Sequence, residues 1–180
     1  MSEMGLIVRP LALADIAPLV DLDHSYHTDY VWQMDLQTLA SEVNVRFRET
    51  RLPRSMRVEY PHNPSLLAED WKGRFGLLVA EREEAPVGYL GLARPQSPQL
   101  IQVTDLVVMR RLRRQGIGSA LVLAAQSWAA EREASLLMLE MQSKNHPMVC
   151  LANKLGYEFC GYNDRYYSNQ DIALFFAKKI

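Results

Sequence analysis

Hydrophobic positions along this chain change their spacing several times, and each change predicts an element. Leu6 to Arg9 is a short apolar run that reads as a first strand, and Pro10 with Asp15 to Leu22 opens a helix whose Ile16, Leu19 and Val20 share one side. His24 to Gln37 mixes aromatics, acids and amides without a period, which predicts a loop or a broken helix. Strict alternation begins at Glu42 to Glu49, where Val43, Val45 and Phe47 oppose Glu42, Asn44, Arg46 and Arg48, the pattern of a half-exposed strand. Leu52-Pro53-Arg54-Ser55 is expected to turn the chain, so that Met56, Val58 and Tyr60 form a second strand paired with the first as a hairpin.

Pro61 to Pro64 breaks the pattern, and Ser65 to Trp71 reads as a short helix. Phe75 to Glu81 and Val87 to Ala93 are two strands about a turn at residues 83–86, and Leu100 to Met109 is apolar enough for an interior strand. These three antiparallel strands lead into the stretch on which the chain is centred, Val103 to Gln126. There the strand gives way to a basic turn with Gly116 and Gly118. From Gly118 to near Arg132 a helix follows, with Leu121, Ala124, Ala125 and Trp128 on one stripe. Leu136 to Gln142 is the next strand, His146 to Leu155 a helix stopped at Gly156, and Tyr157 to Tyr162 and Ile172 to Ala177 the last strands. The order places the chain in the α/β (α+β) class, as a single domain over residues 1–180 without repeats or linkers.

Composition narrows the partners. A net charge of −1 over 180 residues gives no global reason to expect nucleic acid. The N-terminal residues have no basic region followed by an apolar one, and no apolar run reaches the roughly 18 to 20 residues of a membrane span. A cytoplasmic protein without membrane contact is the expectation. Cys150 and Cys160 form neither a disulfide framework nor a metal site by spacing, and their apolar neighbours predict buried free thiols. His24, His27 and Asp23 match no zinc pattern, so no metal is expected. Arginines 46, 48, 51, 54 and 57 gather on the alternating unit, where a solvated strand face is favoured over a polar substrate wall.

The basic turn carries the chemistry. Glycine allows close backbone approach, and free N–H groups at the positive end of a helix attract phosphate. Arg110, Arg111, Arg113 and Arg114 add positive charge beside it. Taken alone, the same residues also suit an ordinary strand-to-helix turn with a solvated arginine face.

Further motifs agree with the phosphate reading. The sequence Arg113-Arg114-Gln115-Gly116-Ile117-Gly118 matches the pyrophosphate signature of the GNAT N-acetyltransferase family: Gln or Arg, two residues, Gly, one residue, then Gly or Ala. Leu139-Glu140-Met141-Gln142 with Asn145, and then Asn153-Lys154-Leu155-Gly156-Tyr157, resemble the family's next strand and helix. The run from Gly161-Tyr162 through Tyr167 to Asp171-Ile172-Ala173-Leu174 is most similar to the streptothricin acetyltransferase branch. The resemblance spans about Val87 to the C-terminus.

This resemblance implies a GNAT fold: a central mixed, mostly antiparallel sheet, flanked by helices and splayed between its fourth and fifth strands to receive acetyl-CoA. It implies acetyl-CoA as cosubstrate and an amine acceptor on a small molecule or peptide N-terminus, with a non-catalytic acyl-CoA-binding module as the alternative. A homodimer is compatible with it. The backbone of Leu106, Val107 and Val108 would pair with the pantetheine arm. That of Arg113, Arg114, Gln115, Gly116, Ile117, Gly118 and Ser119 would hold the pyrophosphate, and Asn145 would touch the CoA arm. An amide of Val107 or Val108 would stabilise the oxyanion. Glu140 matches a glutamate base of family members that act on ribosomal proteins, and Asp105 is its rival. The usual tyrosine acid is replaced by Ala152, so Tyr167 or water is expected to take its place.

Overall fold

A computed structural model describes residues 5–180. Its strands are β1 (Leu6–Pro10), β2 (Tyr26–Thr38), β3 (Val43–Val58), β4 (Gly76–Arg82), β5 (Ala85–Ala93), β6 (Leu100–Val108), β7 (Leu136–Gln142), β8 (Glu158–Asn163) and β9 (Ala173–Lys179). Its α-helices are α1 (Ile16–Val20), α2 (Leu66–Asp70), α3 (Ile117–Ala130) and α4 (His146–Lys154).

Seven strands form one sheet in the order β1-β4-β5-β6-β7-β9-β8, and every neighbouring pair is antiparallel except β6 with β7. These two occupy the fourth and fifth places in the sheet. Their parallel ladder runs only from Leu100↔Leu136 to Val103↔Leu139. A bulge lies at the same level, because Gly91 faces Asp105 while the next residue, Leu92, faces Val103. Thr104 is therefore the extra residue, and the added twist it brings coincides with the point where β6 leaves β7. The splay implied by the family resemblance sits here.

Two apolar layers hold the sheet from opposite faces. Leu121, Val122 and Ala125 of α3 pack with Val149 and Ala152 of α4 over Leu90, Leu137 and Leu139. On the other face Ile16 and Leu19 of α1 and Leu67 of α2 cover Val79, Tyr89 and Val107. At about 25 cal/mol per Å2, one fully buried leucine of this kind contributes about 2 kcal/mol, so these layers supply much of the folding drive.

Three expectations are corrected. The aperiodic stretch at residues 24–37 is not a loop or broken helix but most of β2, which pairs along its length with β3 as a separate two-stranded ribbon. Residues 42–49 and 56–60 accordingly do not face each other. They belong to one long strand, and Leu52-Pro53-Arg54-Ser55 forms a wide bulge between the pairs Thr28↔Met56 and Tyr30↔Arg51. Period failed in β2, which is wet along most of its length and has little buried side to impose alternation, while Val43, Val45 and Phe47 of β3 keep it. All five arginines named on this unit are exposed, as a solvated face requires. The cysteines differ too, since both are exposed. Cys150 follows the buried Val149 to an exposed position on α4, and Cys160 lies on β8, the edge strand.

Candidate active site

A cavity of about 590 Å3 opens where β6 and β7 part. Leu106, Val107 and Val108 line one wall and Glu140, Met141 and Gln142 the other. At the end of β6 the chain makes a short 3-10 turn over Arg110–Leu112 and enters the glycine loop. Arg114 and Gly116 both take left-handed backbone angles, with φ of 65° and 88°. Gly116 is the N-cap of α3 and offers no side chain to the first-turn amides. The N–H groups of Ile117, Gly118 and Ser119 thus lack the usual cap and stand at the positive end of a fourteen-residue helix, which suits them to an anion.

Of the residues expected to hold a cofactor, Arg113, Arg114, Gly116, Ile117, Gly118, Ser119 and Asn145 line this cavity. The Gln115 side chain turns away, accepting from Arg82 and donating weakly to the Arg111 carbonyl. Asn145 caps α4 by accepting from the Met148 amide at 3.1 Å. Arg113 is a clip: its Nε donates to the Val108 carbonyl at 2.8 Å, and its two Nη groups donate to the carbonyls of Ser25 and Asp23 at 2.7 Å each. Its charge is spent on fastening the segment before β2 to the end of β6.

The two candidate carboxylates occupy different settings. Asp105 is 4% exposed and fully engaged. It accepts from Thr104 Oγ1 at 2.9 Å, from Arg74 Nη1 at 2.9 Å and from the Tyr60 hydroxyl, and it meets His62 Nδ1 at 3.1 Å. Burial alone would raise its pKa, but His62, Tyr60 and Arg74 outweigh burial and hold it at about 2. Glu140 lies on β7 beside the cavity, and there burial raises its pKa against the opposing pull of His62, Tyr167, Tyr166 and Gln102. Gln102 donates to its Oε2, and Tyr166 does so at 3.1 Å.

His62 stands between them. Its Nε2 is 4.0 Å from Glu140 Oε1. Burial lowers its pKa, yet the contact with Asp105 and the charges of Asp105 and Glu140 prevail and raise it. His62 also lines a second cavity of about 720 Å3 together with Arg74, Asp105 and Tyr166. Pro61, Thr104 and Tyr167 line both cavities. Tyr167 is 5% exposed, and burial with the Glu140 charge keeps its hydroxyl protonated by raising its pKa far above the usual value. Its loop is braced by a chain of bonds in which Tyr26 donates to Gln142, and Gln142 and Lys144 donate to Asp171. Ala152 is completely buried and offers no hydroxyl.

The profile of the acetyltransferase (GNAT) family matches residues 37–157, well over half of the chain. The chain belongs to the acetyltransferase (GNAT) family. Among relatives by sequence, a candidate ribosomal protein bS18-alanine N-acetyltransferase of Bacillus subtilis (strain 168) is 29% identical over 92 residues, covering 51% of this chain and 60% of that protein. A streptothricin acetyltransferase of Streptomyces lavendulae is 30% identical over 80 residues, or 44% of this chain and 42% of its own. The matched stretch is thus less than two thirds of either relative. Among solved structures, a candidate streptothricin acetyltransferase from Bacillus anthracis, in complex with acetyl coenzyme A, has a TM-score of 0.75 at 18% identity over 98% of this chain and 100% of that one. The likeness to that structure shows the GNAT fold.

Against the GNAT motifs, three residues of the site carried no signal in the sequence. His62 sits in the proline-flanked break at 61–64, Tyr60 looked like one more alternating position, and Arg74 preceded a strand. Only folding brings them to Asp105, which is 43 residues from His62 and 45 from Tyr60. Among the described residues no group of three or more His, Cys, Asp or Glu side chains is arranged to hold a metal ion. No helix among them is long and apolar enough to cross a membrane.

Proposed function

We propose that this GNAT protein is an acetyl-CoA-dependent N-acetyltransferase whose acceptor is the amine of a small molecule or of a peptide N-terminus. One observation carries the reading: the gap between β6 and β7 joins the uncapped amides of α3 to the buried carboxylate of Glu140. Acetyl-CoA supplies an activated acyl carbon and a thiolate leaving group. The chain supplies the grip and the proton transfers. The backbone of Leu106 and the Val108 amide offer strand-like partners to the pantetheine arm, while the Val108 carbonyl stays with Arg113 and the Val107 backbone faces Tyr89 of β5. The loop from Arg113 to Ser119 receives the diphosphate through its backbone, and Asn145 flanks the CoA arm at the start of α4. The Val108 amide, rather than that of Val107, which faces β5, stabilises the oxyanion of the tetrahedral intermediate.

An amine is protonated near neutral pH and must lose a proton to attack. Asp105, with its pKa near 2, is too weak a base and serves to orient His62 and Tyr60. Glu140, whose pKa burial raises, is the stronger base of the two carboxylates and the one on which the amine's proton ends. Tyr167, held protonated at the wall common to both cavities, donates to the departing thiolate in place of the hydroxyl that Ala152 lacks. The second cavity admits the acceptor. The names of the relatives, for streptothricin and for a protein alanine, support both acceptor classes.

A thiol-release assay with acetyl-CoA and a panel of streptothricin, an alanine-initiated peptide and L-lysine tests this. Release that depends on an amine is expected. Tight acetyl-CoA binding with no turnover of any amine would make the chain an acyl-CoA-binding module instead.

A further inference from the structure

We infer that His62 is the residue that takes the proton directly from the acceptor amine and passes it to Glu140. The inference rests on the proposed amine acetylation and adds a catalytic residue to it. Glu140 lines the cavity assigned to acetyl-CoA but not the second one, whereas His62 lines the second and not the first. An amine arriving through the second cavity therefore meets the imidazole before the carboxylate. The ring bridges the two compartments, with Nδ1 at 3.1 Å from Asp105 Oδ1 and Nε2 at 4.0 Å from Glu140 Oε1.

The partner of Nδ1 decides the tautomer. An ionised carboxylate can only accept, so Nδ1 carries the hydrogen and donates it to Asp105. In the neutral ring the lone pair is then on Nε2, the atom turned toward Glu140 and the acceptor's path. Asp105 is itself fixed by Thr104, Arg74 and Tyr60, so it cannot follow a movement of the ring. This is the same division of labour by which a buried aspartate sets the tautomer of a histidine base in hydrolytic triads.

The acceptor ammonium gives one proton to Nε2, its N–H pair becoming the lone pair, and that lone pair forms the C–N bond to the acyl carbon as the C=O π pair moves onto oxygen. The imidazolium lies between two carboxylates until Nε2 gives the proton to Glu140 Oε1. The intermediate then collapses, the oxygen's pair re-forming C=O and the C–S bond breaking with its pair on sulfur; the sulfur takes the Tyr167 proton, and the second N–H proton of the adduct replaces it on the Tyr167 oxygen. Groups facing the ring are Asp105 of β6, Glu140 of β7, Arg74 ahead of β4, Tyr60 after β3, and Tyr167 in the loop before β9. The carboxylates favour the imidazolium, while Arg74 and burial oppose it. The ring therefore loses its proton at a higher pH than an ordinary histidine, and kcat/KM rises with pH as it does.

The test uses the full chain with His62→Ala and His62→Gln, assayed with whichever of the three amines the wild type turns over fastest. Acetyl-CoA affinity by calorimetry checks that each variant is folded. His62→Ala is expected to lose about 10²- to 10⁴-fold in kcat with acetyl-CoA affinity unchanged, and added imidazole to restore part of the rate. His62→Gln is expected to lose the acid limb of the pH profile. Retention of wild-type kcat and of that limb in both variants overturns the inference, as does a loss in His62→Ala that imidazole leaves untouched while His62→Gln keeps the limb. A wild type that turns over none of the amines fails earlier, at the proposed function, and removes the inference with it.

Discussion

His62 and Asp105 meet through a 3.1 Å contact between Nδ1 and Oδ1, although 43 residues of chain separate them. The same Asp105 sits where β6 leaves β7, one residue after the bulge at Thr104. The contact therefore ties the segment after the ribbon to the splay itself, and it joins a polar cluster to the point where an acyl group would react.

Asp105 should govern acid stability. Its folded pKa near 2 lies below the usual carboxylate value, so its contribution is fully present above about pH 4 and lost as pH falls toward 2. A shift of this size corresponds to about 2–3 kcal/mol at neutral pH. Urea unfolding of wild type and Asp105→Asn across pH 2 to 7 should show a gap that closes in that acid window. A gap constant over the range would contradict the assignment.

Gly91 has no room for a side chain. A Cβ there would lie 2.6 Å from Asp105 Oδ2 and 3.1 Å from Asp105 Cβ. Gly91→Ala should therefore displace the carboxylate, at a cost of about 1–3 kcal/mol, and lower kcat together with stability. The clash is with an engaged side chain, so an unaltered melting temperature and rate would show that the cluster is more pliant than its bonds suggest.

At Gly116 the constraint is conformational. Nothing lies within 4 Å of a built Cβ, but φ is 88°. Gly116→Ala should cost roughly 1–2 kcal/mol of stability and weaken acetyl-CoA binding, read by calorimetry, while kcat at saturating acetyl-CoA stays close to wild type. Equal affinity for both proteins would argue against the loop as the diphosphate site.

Arg113 is expected to act as a fastener. Lysine cannot reproduce three N–H bonds to the carbonyls of Val108, Ser25 and Asp23, and bonds from a charged donor contribute about 1.5–3 kcal/mol each when removed. Arg113→Lys should lower the melting temperature and raise the KM for the amine more than the acetyl-CoA dissociation constant. The reverse order would assign the guanidinium to phosphate.

The local architecture of the loop proposed to take acetyl-CoA was legible, because strand, glycine turn and helix follow one another in sequence, so the elements from Leu106 to Ser119 could be placed directly. The polar cluster around Asp105 was not. His62, Tyr60 and Arg74 converge on Asp105 only through tertiary contacts, and no spacing along the chain encodes that meeting. Tyr26 to Thr38 escaped for a different reason: wet along most of its length, it mixes aromatic and polar residues without alternation, although Val43 to Phe47 of its partner strand keep one. Cys150 and Cys160 were misjudged because apolar neighbours in sequence say nothing of which side of a helix or edge strand a thiol takes.

Acetyl transfer itself is tested most directly by following the acyl carbon. With acetyl-CoA carrying a carbon-13 acetyl label and the amine panel, NMR should show the label appearing in a new amide. Glu140→Gln should form that amide at least about 100-fold more slowly while binding acetyl-CoA as well as the wild type. Label that never leaves the thioester for any amine, with acetyl-CoA bound normally, would contradict the proposal.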